Sequence, residues 1–199
     1  ADEQYQPALD TIAKWRAEGK KETADSYALE GNAEYRLGKY PEAIASINKA
    51  KSLTDKPQPT WDQILMASYS ESGQDEKAAE LAKNQLSSNP GDPNALNNAV
   101  AVLMQAHKYP EAIQMMEKAR AEGKLSKDTQ YVNLAKLYLV TGQESADPAP
   151  NATKAQQVLE EGMSKGVVKP DAETYVLLGQ SAEIANNIDK AIGYYNKAQ

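Results

Sequence analysis

The chain has 199 residues, of which 41% are apolar and 25% charged, with a formal net charge of −6 and no cysteine. That length allows one domain or two small ones, and the composition excludes a disordered tail. The missing thiols exclude disulfides, zinc-thiolate and iron–sulfur sites and cysteine nucleophiles, and an acidic balance without a basic block argues against nucleic acid or an anionic membrane as the main partner.

In chain order, residues 5–18 ("YQPALDTIAKWRAE") predict a lone first helix. Ala24–Leu37 predicts a second, and Gly38 a left-handed turn that ends it. The helix that follows runs to about Leu53 and stops at "TDKPQP". The same sentence then repeats. A helix opens at Pro59, turns at Gly73, and its partner runs to Leu86 before "NPGDP". Another opens at Pro93, turns at His107 and returns to Arg120 before "EGKLSKD". The next opens at Asp128, with Gly142 read as its turn, and resumes with Ala155, Leu159 and Gly162 before "GVVKPD". The last pair starts at Ala172 and reaches the end of the chain. No apolar run reaches the roughly 18 residues of a membrane span, and no leader pattern opens the chain.

Self-similarity fixes the register. "KYPEAI" occurs at 39–44 and again at 108–113, and the matching alanines fall at 43, 78, 112, 155 and 191. Small residues recur at fixed places: Gly31, Ala135 and Gly179 in first helices, and Ala50, Ala119, Gly162 and Ala198 in second helices. Small side chains at such places let two helices approach closely.

These motifs resemble the tetratricopeptide repeat (TPR), a helix–turn–helix unit of 34 residues. The resemblance covers 24–199, with units starting at about 24, 59, 93, 128 and 172. It implies an all-α fold, a right-handed superhelical solenoid of antiparallel helix pairs, built as a single array over 1–199. From Asp128 to Ala155 the chain takes 27 residues where the 34-residue template takes about 19. The excess predicts a loop insertion at 143–151 inside the fourth repeat, not a domain linker, with Asn151 or Thr153 as the next N-cap. The pattern is cut at both ends, which predicts a piece of a longer array, or ends that pair with another copy through residues such as Ile192 and Tyr195.

Catalytic chemistry is not legible. Glu30 and Glu34 lie one helical turn apart in places the template makes apolar. A carboxylate pair could hold a metal, but no histidine or third carboxylate accompanies it, so exposure or pairing with Lys or Arg is the favoured reading. The single histidine, His107, sits where other units have a turn glycine, which suits a residue tolerating positive φ better than a catalyst. No phosphate loop or nucleophile motif is present. The expectation is therefore a protein that is not an enzyme, with no cofactor and no metal.

Binding is expected on the concave side, which TPR first helices line. The first unit offers Asp25, Ala28, Leu29, Asn32, Tyr35 and Arg36 there, and the second Thr60, Gln63, Ile64, Ala67, Ser70 and Glu71. Farther along come Asn97 and Asn98, then Asn133, Lys136 and Val140, then Gln180. Asn98 and Asn133 occupy equivalent places, and stacked amides can both donate to and accept from a peptide backbone. The two-carboxylate clamp of some TPR proteins is incomplete, because Ala28 and Ile64 stand at two of its polar positions. The expected partner is a protein or extended peptide, with self-association through the ends as a further possibility, and neither nucleic acid nor membrane insertion. "KGVVKPDAETYVLLG" also resembles the RNA-binding pentatricopeptide repeat. That alternative is disfavoured because acidic concave residues outnumber the basic Arg36 and Lys136. An accessory domain of a larger enzyme or of an envelope transport system is another alternative. Phrases such as "LTDKPQPTW" are similar in style to exported bacterial TPR proteins and favour a periplasmic location, with the cytoplasm as the other option.

Overall fold

A computed structural model describes residues 4–19, 21–90 and 92–199. Gly91, within the "NPGDP" breaker, lies outside them. Among the described residues the regular structure is all helical: α1 (Tyr5–Ala17), α2 (Ala24–Arg36), α3 (Tyr40–Ser52), α4 (Pro59–Glu71), α5 (Asp75–Ser88), α6 (Pro93–Gln105), α7 (Tyr109–Ala121), α8 (Asp128–Gln143), α9 (Ala149–Ser164), α10 (Ala172–Ile184) and α11 (Ile188–Lys197). They form two compact units, Ala1–Ser88 and Asn89–Gln199.

Local chemistry sets the helix ends. Thr23 and Ser26 exchange side-chain and backbone hydrogen bonds at the start of α2, a reciprocal cap. Asp92 and Asp171 accept from the backbone N–H groups of Asn94 and Thr174, each at 2.9 Å, and so cap α6 and α10. Prolines stand in the first turn of α3, α4, α6 and α7, where a missing N–H costs nothing. Within the pairs α2–α3, α4–α5, α6–α7 and α10–α11 the chain reverses through one left-handed residue. Gly38 and Gly73 fill it at φ 72° and 70°. His107 fills the equivalent turn at φ 55°, as the sequence predicts, and its Nδ1 lies 2.8 Å from the Tyr109 hydroxyl.

The first unit is built on Ala28, Ile47, Ala50, Trp61 and Leu65, contributed by α2, α3 and α4. Gly31 makes the α2–α3 contact possible. A Cβ there would stand 2.6 Å from Ile47 Cγ1, too close to exist. Helix α1 has no fully buried residue. It is held to α2 by Arg16, whose guanidinium grips both oxygens of Glu30 and lies 4.5 Å from the centre of the Tyr27 ring. This contact is mostly electrostatic, a fork on a carboxylate over an aromatic face.

In the second unit the core runs through α7, α8, α9 and α10, with Met116, Tyr131, Leu134, Leu137, Leu159 and Leu178 almost fully enclosed. The same device recurs. A Cβ on Gly162 would strike Val168 and the Tyr131 ring, and one on Gly179 would lie 2.5 Å from the Tyr195 ring. Gln130, 1% exposed, accepts from the backbone N–H groups of Ser126 and Lys127 and donates to Asn97 at 3.1 Å. A buried amide is thereby satisfied, and the start of α8 is tied to α6. Arg120 on α7 bridges Glu117 and Glu161 on α9, while the Tyr138 hydroxyl of α8 donates to Glu117 at 2.8 Å.

The stretch with extra residues differs from its sequence reading. Only 144–148 lies outside helix, not 143–151. Helices α8 and α9 each have 16 residues where most first and second helices have 13, so the excess is drawn into one more turn of each. Gly142 is therefore a helix residue and not a turn. Its Cα faces α9, where an added Cβ would stand 3.1 Å from Asn151 Cβ. The cap expected at Asn151 or Thr153 lies earlier. Asp147 accepts from the Ala149 N–H at 3.1 Å, and Thr153 instead bonds back to the Ala149 carbonyl inside the helix.

The close approaches give a paired prediction. Gly162→Ala pushes a methyl into the enclosed Tyr131 and Val168 and lowers the unfolding free energy by about 1–3 kcal/mol. Gly193→Ala, inside α11 with open space around it, raises it by up to about 1 kcal/mol through helix propensity alone. Urea denaturation of both variants measures the contrast, and equal shifts in one direction would contradict it.

Candidate functional site

Helix pairing buries one side of each first helix and leaves the other free. In the first unit the free sides of α2 and α4 enclose a groove with a volume of about 680 Å³. From α2 it is lined by Asp25, Ala28, Leu29, Asn32, Tyr35 and Arg36. Those are the six concave positions read from the sequence in that unit. From α4 come Thr60, Gln63, Ile64 and Ala67, again concave positions, together with Trp61 and the preceding Gln58. The last two were missed. Trp61 belongs to the core, only 4% exposed, and offers the groove an edge. Gln58 precedes the helix and falls outside any template count.

The groove is mixed in character. Leu29 is 64% exposed, the most exposed large apolar side chain among the described residues. Beside it, Ile64 is half-buried against the core cluster. Asn32 and Gln63 carry amides with no hydrogen-bond partner among the described residues. Asp25 lies in the first turn of α2 and Arg36 in its last. Tyr35 leans on Tyr40 of α3, with ring centres 6.0 Å apart, which fixes its position at the basic end.

The other predicted residues lie in the second unit on three successive first helices. Asn97 and Asn98 are half-buried on α6, Asn133, Lys136 and Val140 are exposed on α8, and Gln180 is exposed on α10. Asn97 is already engaged, its Oδ1 accepting from Gln130. Lys136 reaches Glu173 of α10 at 3.8 Å, an exposed pair of little strength.

Solved structures share this arrangement of helices. The C-terminal part of a TPR repeat-containing protein from Cytophaga hutchinsonii superposes with a TM-score of 0.72 at 17% identity, over 98% of this chain and 72% of that one. A crystal structure of the MamA protein gives 0.63 at 20% identity, over 88% and 89%. MamA from Desulfovibrio magneticus RS-1 gives 0.62 at 16%, over 89% and 94%. This is the tetratricopeptide-repeat fold. No family model matches the sequence. No curated protein matches it significantly.

The Glu30–Glu34 pair resolves into two different environments. Glu30 is occupied by Arg16. Glu34 lies near Ser46 of α3, and its Oε2 is buried without a hydrogen-bond partner. Burial first, then the charges of Glu30 and Glu42, push its pKa up; the nearby Ser46 hydroxyl and Lys39 oppose the rise. Among the described residues no group of three His, Cys, Asp or Glu is placed to hold a metal ion. A carboxyl whose folded pKa is raised opposes folding once charged, so its cost is absent below the unfolded pKa and grows as pH rises through the folded value. Glu34→Gln therefore raises the thermal midpoint at neutral pH, and the gain disappears below about pH 4. Melting curves across that range check it, and a lower midpoint at pH 7 would contradict it.

Proposed function

We propose that this TPR chain is a non-catalytic scaffold that binds protein or peptide segments on the concave sides of its helix pairs. The observation that carries the reading is the groove between α2 and α4. It brings together free amides, the exposed Leu29 and two charges that pair with no other side chain of the described residues. An extended segment laid there gains backbone hydrogen bonds from Asn32 and Gln63 and covers Leu29. The equivalent places in the second unit, Asn98 and Asn133 with Val140, extend the same reading along the chain. A groove with one acid and one base does not track phosphates, which supports a protein partner over RNA. A bacterial, exported location completes the proposal and rests on the sequence phrases alone.

Affinity capture from the source cells tests it, with the wild type set against Leu29→Asp and against Asn98→Ala/Asn133→Ala. Covering Leu29 is worth about 1–2 kcal/mol, so Leu29→Asp reduces recovery of a groove ligand by roughly tenfold. Equal recovery of every partner by all three proteins would remove the groove reading.

A further inference from the structure

The groove of the first unit has a direction, and that direction specifies its ligand. Asp25 and Arg36 stand at opposite ends of α2, eleven residues apart in sequence. That is about 16 Å along the helix axis at 1.5 Å per residue. Both are exposed, and neither has an ion-pair partner among the described residues. Their unit otherwise pairs several of its charges: Arg16 holds Glu30 and Lys51 holds Asp62. Each charge does suit its end of the α2 dipole. The dipole explains why an acid and a base are tolerated there. It does not explain why a cavity with an exposed leucine lies between them.

We infer that this groove takes a short extended peptide of fixed polarity, with a cationic side chain at Asp25, an apolar side chain over Leu29 and Ile64, and a carboxylate at Arg36. The inference rests on the proposed peptide-binding function and adds the ligand's chemistry and orientation. An extended chain rises about 3.3 Å per residue and turns alternate side chains to one face. About five residues therefore span the groove, and the three that face it are the first, third and fifth. Long side chains at both ends make up the remaining distance to Asp25 and Arg36. The central residue meets Leu29, while the peptide backbone between contacts lies within reach of the Asn32 and Gln63 amides. A reversed peptide would set acid against Asp25 and base against Arg36, and like charges brought together in a partly desolvated groove reject it. The carboxylate can belong to an Asp or Glu side chain or to a chain terminus, since both present the same two oxygens to a guanidinium fork.

The test is selection of a displayed library of random heptapeptides on the full chain, followed by affinity measurement on the enriched peptides. The expected result is a cation, an apolar residue and an acid at alternating positions. Arg36→Glu weakens these peptides at least tenfold, and Asp25→Lys/Arg36→Glu enriches sequences with the charge order reversed. Comparing an amidated peptide carrying Glu with one ending at a free carboxylate identifies which source of the carboxylate is used. Enriched peptides with no charge order, or with affinity indifferent to Arg36→Glu, overturn the polarity while leaving the groove reading intact, provided Leu29→Asp weakens their binding roughly tenfold. No enrichment, or enrichment that Leu29→Asp leaves untouched, overturns the groove reading and the inference together.

Discussion

The structure depends on a handful of places where a glycine of one helix admits a large side chain from the neighbouring element. Gly31 against Ile47, Gly162 against Tyr131 and Val168, and Gly179 against Tyr195 leave no room for a methyl group. At each, a large side chain from the neighbouring element fills the space that the glycine vacates. That interlock sets the distance and register of the helix pair. It also decides which side of each first helix is buried and therefore which side remains for a ligand. The groove between α2 and α4 is the complement of this packing, because the side of α2 carrying Gly31 is committed to α3.

Polar contacts then fill the roles that apolar packing leaves open. Gln130 is buried and fully engaged, and it links the start of α8 to α6 through Asn97. Arg120, Glu117, Glu161 and Tyr138 tie α7, α8 and α9 together. In the first unit the same kind of contact stands almost alone. Helix α1 buries no residue completely and leans on Arg16 and Glu30. Its attachment is thus sensitive to salt, since ion pairs at partly open sites weaken as ionic strength rises.

The helix starts at Ala24, Pro59, Pro93, Asp128 and Ala172 were readable because turn residues, prolines and small residues recur at one period. His107 was readable as a left-handed residue for the same reason, since the repeat supplied the backbone conformation that the side chain alone does not. Gly142 was misread by the same logic. Its place in the repeat is that of a turn glycine, yet the helix runs one turn farther and uses the glycine for contact with Asn151. Six groove residues on α2 and four on α4 followed from template positions, but their enclosure around one cavity did not, because that depends on how Trp61 and Ile64 pack. The fate of Glu30 and Glu34 also lay beyond sequence. Spacing puts both on one face, but only the fold brings Arg16 to one and Ser46 to the other.

The lengthened pair α8–α9 carries a rule about how such a chain can grow. Each helix gains three residues over its counterparts, close to the 3.6 of a full turn, and a five-residue connection closes the hairpin. An addition of one or two residues inside either helix would rotate everything beyond it by about 100° or 200°. The apolar stripe would then swing away from its partner. A gain of nearly one turn in both helices at once keeps the stripes facing, and Gly142 meets Asn151 in the added turn. In this hairpin the extra residues are therefore taken up as nearly one matched turn on each arm, with only five left in the connection.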